Sequence, residues 1–311
     1  MISRTTFVAA LGALPFTAGA ASAQSGPVIE LGASPTDSSG LAIYAYDLGL
    51  FKAAGLNVHL TIVPNTATVV PGVVGGAYHI ATANLGNVAV AKDRGVPIHV
   101  IAGGGVYASS SPTALLLVPV DSPAKAPADL NGKIIAVNGL RADISMFETQ
   151  SYLDRNGADS KTMKYLEVPF PEMAVALAQH RVDCAFVIEP FLTLAKQNAR
   201  IFADPSTGIA PHFQTSVHFA SDAWLASNAD AARHFAEAVR QAAQWANAHH
   251  KESGEILVRY AKLDPAIAAI MHRQQYGLGL DPALIQPVFD AALRYGVIHN
   301  PLAAGDVIWA G

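Results

Sequence analysis

Eight polar residues stand at or just beyond strand-like runs, where side chains can reach a bound molecule: Thr36, Asp37, Ser38, Asn84, Asn138, Arg141, Glu189 and His218. Their types fit recognition by hydrogen bonds better than bond-making. Arg141 opens a helix-like segment after Asn138-Gly139 and could fork two hydrogen bonds onto a carboxylate or sulfonate. The plainer reading is a surface arginine paired with Asp143 or Glu148. Asn138 can donate from the same loop or simply form its turn. Asp37 admits three uses: an acceptor for an amine or ring N–H, a latch to Arg141, or a charge suited to a helix start. Thr36 and Ser38 flank it with hydroxyls, and one serine of Ser38-Ser39 is expected to cap the helix. Asn84, with Asn87 after it, is a ligand donor or an N-cap. Glu189, before Pro190, contacts a ligand or ties two parts of the fold. His218 contacts a ligand or is structural.

No constellation for covalent chemistry accompanies them. Ser34, Ser38 and Ser39 have no histidine in a recognisable triad motif. The eleven histidines are scattered, and His249-His250 lacks metal-ligand spacing. Gly103-Gly104-Gly105 is not followed by the lysine and hydroxyl of a phosphate loop, and is expected instead to let backbone approach a cleft or hinge. Tyr44 and Phe191 fit helix cores, which leaves Tyr107 as the freer aromatic. We therefore expect no catalytic residue, no metal and no cofactor.

These residues need elements to hold them. Strand-like runs cover Val28 to Gly32, Asn57 to Val63, His79 to Thr82, Ile98 to Ala102, Thr113 to Val118, Lys133 to Val137, Lys164 to Val168, Asp183 to Ile188 and Arg200 to Ala203. Helix-like segments alternate with most of them, including one from Leu41 to Ala54 that Gly55 stops. Strand alternating with helix, with turn chemistry at the strand ends, is the pattern of open α/β domains. Ligands in such domains sit beyond the carboxyl ends of the strands. Segments 75–83 and 179–187 echo each other, each a helix end, a polar residue and a short apolar strand. The last third is helical. Asn228 is placed to cap a helix with an apolar stripe of Phe235, Val239, Ala242 and Ala246, and Asp264-Pro265 and Asp281-Pro282 are start signals. Crossings near 119–128 and 212–224 divide the chain into two lobes, 24–118 with 219–311 and 119–218.

The N-terminus narrows the setting. Arg4 precedes an apolar run from Phe7 to Phe16, and Ala21-Ser22-Ala23 is a small-residue cleavage site. This reads as a signal peptide spanning 1–23 and cut after Ala23, too short to span a membrane. A second arginine is missing after Arg4, so ordinary secretion is expected, and no cysteine at the cut offers a lipid anchor. Of 311 residues, 51% are hydrophobic and 14% charged, ample apolar material for one large domain or two medium ones. The net charge of −4 becomes −5 without Arg4, and no basic stripe suggests nucleic acid. The single cysteine, Cys184, reads as a small core residue.

Four segments carry a resemblance: YAYDLGLFKAAGLNVHL (Tyr44 to Leu60), AYHIATANLGNVAVAKDRGVPIHVIA (Ala77 to Ala102), DLNGKIIAV (Asp129 to Val137) and ALAQHRVDCAFVIEP (Ala176 to Pro190). In order and combination they resemble the periplasmic solute-binding proteins of the nitrate, sulfonate/taurine and thiamine-pyrimidine-precursor group, which feed ABC importers. The likeness runs from about Val28 to Ala243. His79 stands where an acidic residue or asparagine is commoner, and the loop at Thr36–Ser39 is more polar than many members carry.

The resemblance implies a two-lobed periplasmic-binding-protein fold of type II, each lobe an α/β sheet flanked by helices, joined by a two-segment hinge. It further implies a cofactor-free monomer in the periplasm whose partners are a small ligand and an ABC permease with its ATPase. A small organic anion, a sulfonate or carboxylate, is the ligand favoured by Arg141; a pyrimidine or other nitrogen-containing solute, motivated by Asp37, stands as the alternative. Enzymes of pyrimidine and menaquinone synthesis share the fold, so fold alone does not exclude turnover.

Overall fold

A computed structural model describes residues 27–64, 66–140 and 142–311. The expected signal peptide and Arg141 lie outside the described residues. The described residues begin with β1 (Val28–Ala33), α1 (Gly40–Asp47), α2 (Leu50–Ala53), β2 (Asn57–Ile62), α3 (Val69–Val74), β3 (Ile80–Asn84), α4 (Leu85–Asp93), β4 (Ile98–Gly103) and β5 (Gly105–Ala108). It continues with β6 (Ala114–Pro119), β7 (Ile134–Val137), α5 (Ile144–Arg155), β8 (Lys164–Glu167), α6 (Phe170–Ala178), β9 (Cys184–Ile188), α7 (Phe191–Ala195) and β10 (Ala199–Ala203). It returns through β11 (His212–Gln214) and β12 (Ser216–Ser221). The remainder is α8 (Asp222–Ser227), α9 (Ala229–Ala248), α10 (His250–Tyr260), α11 (Ala266–Ile270), β13 (Gln275–Tyr276) and α12 (Pro282–Arg294).

Two five-stranded sheets form the lobes, in orders β2-β1-β3-β12-β4 and β10-β6-β9-β7-β8. Read from opposite ends the two orders match. In each, a central strand (β3 or β9) is parallel to one neighbour (β1 or β7) and antiparallel to the other (β12 or β6). The echo between segments 75–83 and 179–187 thus corresponds to equivalent places: each segment ends on a helix-to-strand turn into the central strand. The α/β class and the two helix-flanked sheets agree with expectation.

The lobe boundaries need correction. Residues 114–118 were expected in the first lobe, but β6 pairs with β9 and β10 in the second sheet. Likewise Ser216–His218 were expected in the second lobe, but β12 pairs with β3 and β4 in the first. The crossings therefore fall at 109–113 and 204–215. Apolar strands look alike in sequence whichever sheet they join, because both sheets are covered on both faces. A small antiparallel sheet, β11-β5-β13, ties the second crossing to the strand that leads into the first, and its third strand comes from the C-terminal helical region.

Local signals explain most element ends. The helix expected from Leu41 to Ala54 breaks in two because Gly49 takes φ 71°, a left-handed conformation that glycine adopts without strain. Asn84 caps α4 by accepting from Asn87 N–H, and Asp281 caps α12 by accepting from Ala283 N–H. Asn228 does not cap α9; its amide donates back to the Trp224 carbonyl. Neither does Ser39 cap α1 through its hydroxyl. The α9 stripe is buried as expected, with Phe235 stacked on Phe51 at 4.9 Å; burying one such ring contributes about 2–3 kcal/mol. His79 secures its turn in a different manner from a carboxylate: Nδ1 accepts from Glu30 N–H at 3.0 Å while the ring stacks on Trp224. Among the described residues no helix is long and apolar enough to cross a membrane.

Candidate functional site

A partly open cavity of about 50 Å³ lies between the lobes. A single water needs roughly 10–15 Å³, so this space holds several waters or a small solute without rearrangement. The first lobe contributes Thr36, Ser38, Ser39, Thr66, Asn84, Tyr107 and Ser216, with Gln274 from the C-terminal region. The second contributes Ala114, Asp143, Ile144, Glu148, Phe170, Phe186 and Ile188. Thr113, Ser206 and Thr215 come from the crossings. One wall is therefore hydroxyl- and amide-rich, and the facing wall is apolar with two carboxyl groups. No lysine, arginine or histidine is among the described lining residues.

The two carboxyl groups differ in their surroundings. Asp143 is buried at the start of α5, where Oδ1 accepts from Ser145 N–H at 2.9 Å. Its Oδ2 accepts from Asn84 Nδ2 at 2.7 Å and from the Thr66 hydroxyl at 3.2 Å. Burial raises its pKa, and these hydrogen bonds oppose the rise. Glu148 is also buried, and Oε2 accepts from Ser206 Oγ at 3.1 Å. Burial pushes its pKa well above the carboxylate range, opposed by the Ser206 bond and reinforced by the charges of Asp204 and Asp143. Tyr107, beside it, donates to Asp204 Oδ2 at 2.8 Å.

Gln274 spans the crossings. Its Nε2 donates to Thr215 Oγ1 at 2.9 Å, and its Oε1 accepts from Thr113 Oγ1 at 3.4 Å. The backbone is drawn equally close at Gly104, where an added Cβ would lie 2.8 Å from the Ser216 carbonyl oxygen. That meets the expectation for the triple glycine. Ser216 Oγ in turn accepts from Gly105 N–H and donates to the Ser38 carbonyl, which fixes the loop carrying Thr36 and Ser38.

Of the eight residues singled out by sequence, Thr36, Ser38 and Asn84 line this cavity. Asp37 does not. It is fully buried behind the loop, in a salt bridge with Arg273 at 2.7 Å, and it accepts from Gln274 N–H at 2.6 Å and the Tyr276 hydroxyl at 2.9 Å. These partners, rather than the cavity, take up the Asp37 carboxyl; Arg141, the other expected partner, lies outside the described residues. Glu189 does not line the cavity either: its carboxyl accepts from Thr193 N–H and Oγ1 and from His272 N–H, and burial raises its pKa to about 7. That is the tie between parts of the fold, since His272 belongs to the first lobe's C-terminal region. His218 is structural, with Nδ1 on the Gly103 carbonyl and its ring against Phe235; burial lowers its pKa to about 4. Asn138 sits behind the wall, accepting from Thr66 Oγ1 at 3.2 Å.

Sequence reading passed over Asp143 and Glu148 as surface partners of an arginine. The place of Asp143 at the start of a helix that opens beyond β7 was the available signal. Gln274, Thr66 and Thr215 carried none, because they reach the cavity only through tertiary packing.

Among curated proteins none matches the chain by sequence. Several solved structures share its fold. The alkanesulfonate-binding protein SsuA from Xanthomonas axonopodis pv. citri, bound to MOPS, superposes with a TM-score of 0.75 at 17% identity, over 91% of this chain and 98% of its own. The periplasmic nitrate-binding protein NrtA from Synechocystis PCC 6803 gives 0.74 at 14% identity, over 90% and 84%. The desulfurization enzyme DSZB gives 0.64 at 16% identity, over 90% and 96%. A family model described as NMT1/THI5 like matches residues 37–253. With most of its length matched, the chain belongs to the NMT1/THI5-like family.

Proposed function

We propose that this protein is the periplasmic solute-binding component of an ABC importer, and that its ligand occupies the cavity between the lobes. The observation that carries this is the cavity itself: both lobes and both crossings line it, so a molecule inside would bridge the lobes and favour their closure. The solute-binding neighbours support the same reading. Cys184, the one cysteine, is buried in β9 rather than on the cavity, so a thiol nucleophile is not at hand there.

The lining favours a compact solute with an apolar face and hydrogen-bond donors, such as an amine or a nitrogen heterocycle. Phe170, Phe186 and Ile188 would pack on the face, and Glu148 would accept from the donor. Asp37, which first suggested such a ligand, plays no part in this. A second reading, a small organic anion, is favoured by the sulfonate- and nitrate-binding neighbours. In that case Arg141, two residues before Asp143, would supply the cation.

A thermal-shift screen of the mature protein against amines, aminopyrimidines, alkyl sulfonates and aromatic carboxylates separates the two, since binding to the folded form raises the melting temperature. A shift with amines or aminopyrimidines that Glu148→Ala abolishes supports the first reading. A shift confined to acids and lost in Arg141→Ala overturns it in favour of the second. Mass spectrometry of the recovered ligand tests turnover, and a chemically changed ligand would sink both binding readings.

A further inference from the structure

Helix α5 belongs to the second lobe by connection, running between β7 and β8, yet its first turn packs into the first lobe. Phe147 is fully buried and Ile144 nearly so, in an apolar cluster with Leu85 and Val88 of α4 and with Phe289 of α12. Further along, Leu153 of the same helix joins the second lobe's own core. The polar contacts across this boundary are equally close. Asn84, which caps α4, donates to Asp143, which caps α5, so the two helix starts share one hydrogen bond. Thr66 of the first lobe reaches both Asp143 and Asn138.

Gly86 lies where α4 and the start of α5 come close together. A Cβ there would collide with the Ala142 carbonyl oxygen and stand 2.9 Å from Phe147 Cε1 and 3.0 Å from Ile144 N. Two of these three atoms are backbone and cannot swing away. Within α4 itself nothing requires glycine, because an alanine in a helix is favoured over glycine when it meets no clash.

We propose that the contact between α4 and α5 is the seam on which the two lobes close, and that Gly86 sets how far they can approach. Gly86 does not line the cavity, so it acts as a positioning residue: it lets Asn84 meet Asp143 and so seals the solute inside. The inference rests on the two-lobed clamp of the proposed function, but its test needs no ligand.

Paired spin labels would be placed on the first lobe at Val74→Cys and on the second at Leu166→Cys, both exposed positions, with buried Cys184 left unmodified. Interlobe distances are then measured by pulsed electron resonance. Gly86→Ala is expected to shift the distribution to longer distances while the protein stays folded and at least as helical. An unchanged distribution would overturn the proposal and make the seam a fixed joint.

Should Gly86→Ala fail to fold, Asn84→Asp decides the matter. Aspartate caps a helix as well as asparagine does, but it sets a second carboxylate against Asp143. Longer distances in that variant support the seam, and unchanged distances refute it. A failure of the ligand screen leaves this measurement untouched, and an unchanged distance leaves the ligand screen untouched, so the two failures are distinguishable.

Discussion

Arg273 donates through both Nε and Nη2 to one oxygen of Asp37, at 3.0 and 2.7 Å, although the residues lie 236 positions apart. The guanidinium also donates to the Tyr44 hydroxyl at 2.8 Å and to Ser253 Oγ at 2.9 Å. Burial alone would lower the arginine's pKa, and the Asp37 charge overrides it, so the net shift is upward. This pair anchors the loop of Thr36 and Ser38 to the segment carrying Gln274, which is how the C-terminal helices come to hold the cavity.

Breaking the pair should be costly. Removing one partner of a buried ion pair strands the other charge, at about 3–5 kcal/mol. Arg273→Met and Asp37→Asn are each expected to lose stability on that scale in urea unfolding. The double variant should lose much less than their sum, because neither charge is then left alone. Additive losses would show that the two residues act independently.

Gln274→Ala removes the link between the crossings but exposes no unpaired charge. Two neutral hydrogen bonds contribute on the order of 1–2 kcal/mol together. The expected result is a modest drop in unfolding free energy with a larger loss of affinity for whichever solute the screen finds, read by calorimetric titration. Equal affinity in the variant would remove Gln274 from the binding wall.

Glu189 makes a prediction in pH. Its pKa rises to about 7 in the fold from an ordinary value of 4.5, with burial the main cause. Between these values the folded state binds more protons than the unfolded one, so stability falls as pH rises. The contribution is whole below about 4.5 and is lost as pH passes through 7, on the order of 3 kcal/mol for a shift of this size. Melting temperatures from pH 5 to 8 should fall less steeply in Glu189→Gln than in the parent. Parallel curves would mean that Glu189 does not titrate in this range.

Gly104→Ala tests the close backbone approach beside the cavity. The added methyl would press on the Ser216 main chain, and overpacking of this kind costs about 1–3 kcal/mol. Because Ser216 holds the Ser38 loop, the variant should also weaken solute binding. Unchanged stability would show that β12 yields without cost.

Much of this protein is written locally. Strand and helix alternation, the Asn84 and Asp281 caps, and the echo of two helix-to-strand turns depend on neighbours within a few residues, and each is found where expected. The same locality hid the lobe boundaries, since β6 and β12 are apolar runs that could pair in either sheet. Asp37 was legible as a charge at the start of a helix, but its partner Arg273 was not. Asp143 and Glu148 looked like exposed carboxylates until α5 was seen to lie with its first turn between the lobes. Sequence fixes what each segment prefers to be, because those preferences are set by short-range sterics and hydrogen bonds. Which side chains meet across two lobes is decided by long-range packing, where burial and the pairing of buried charge outweigh local preference.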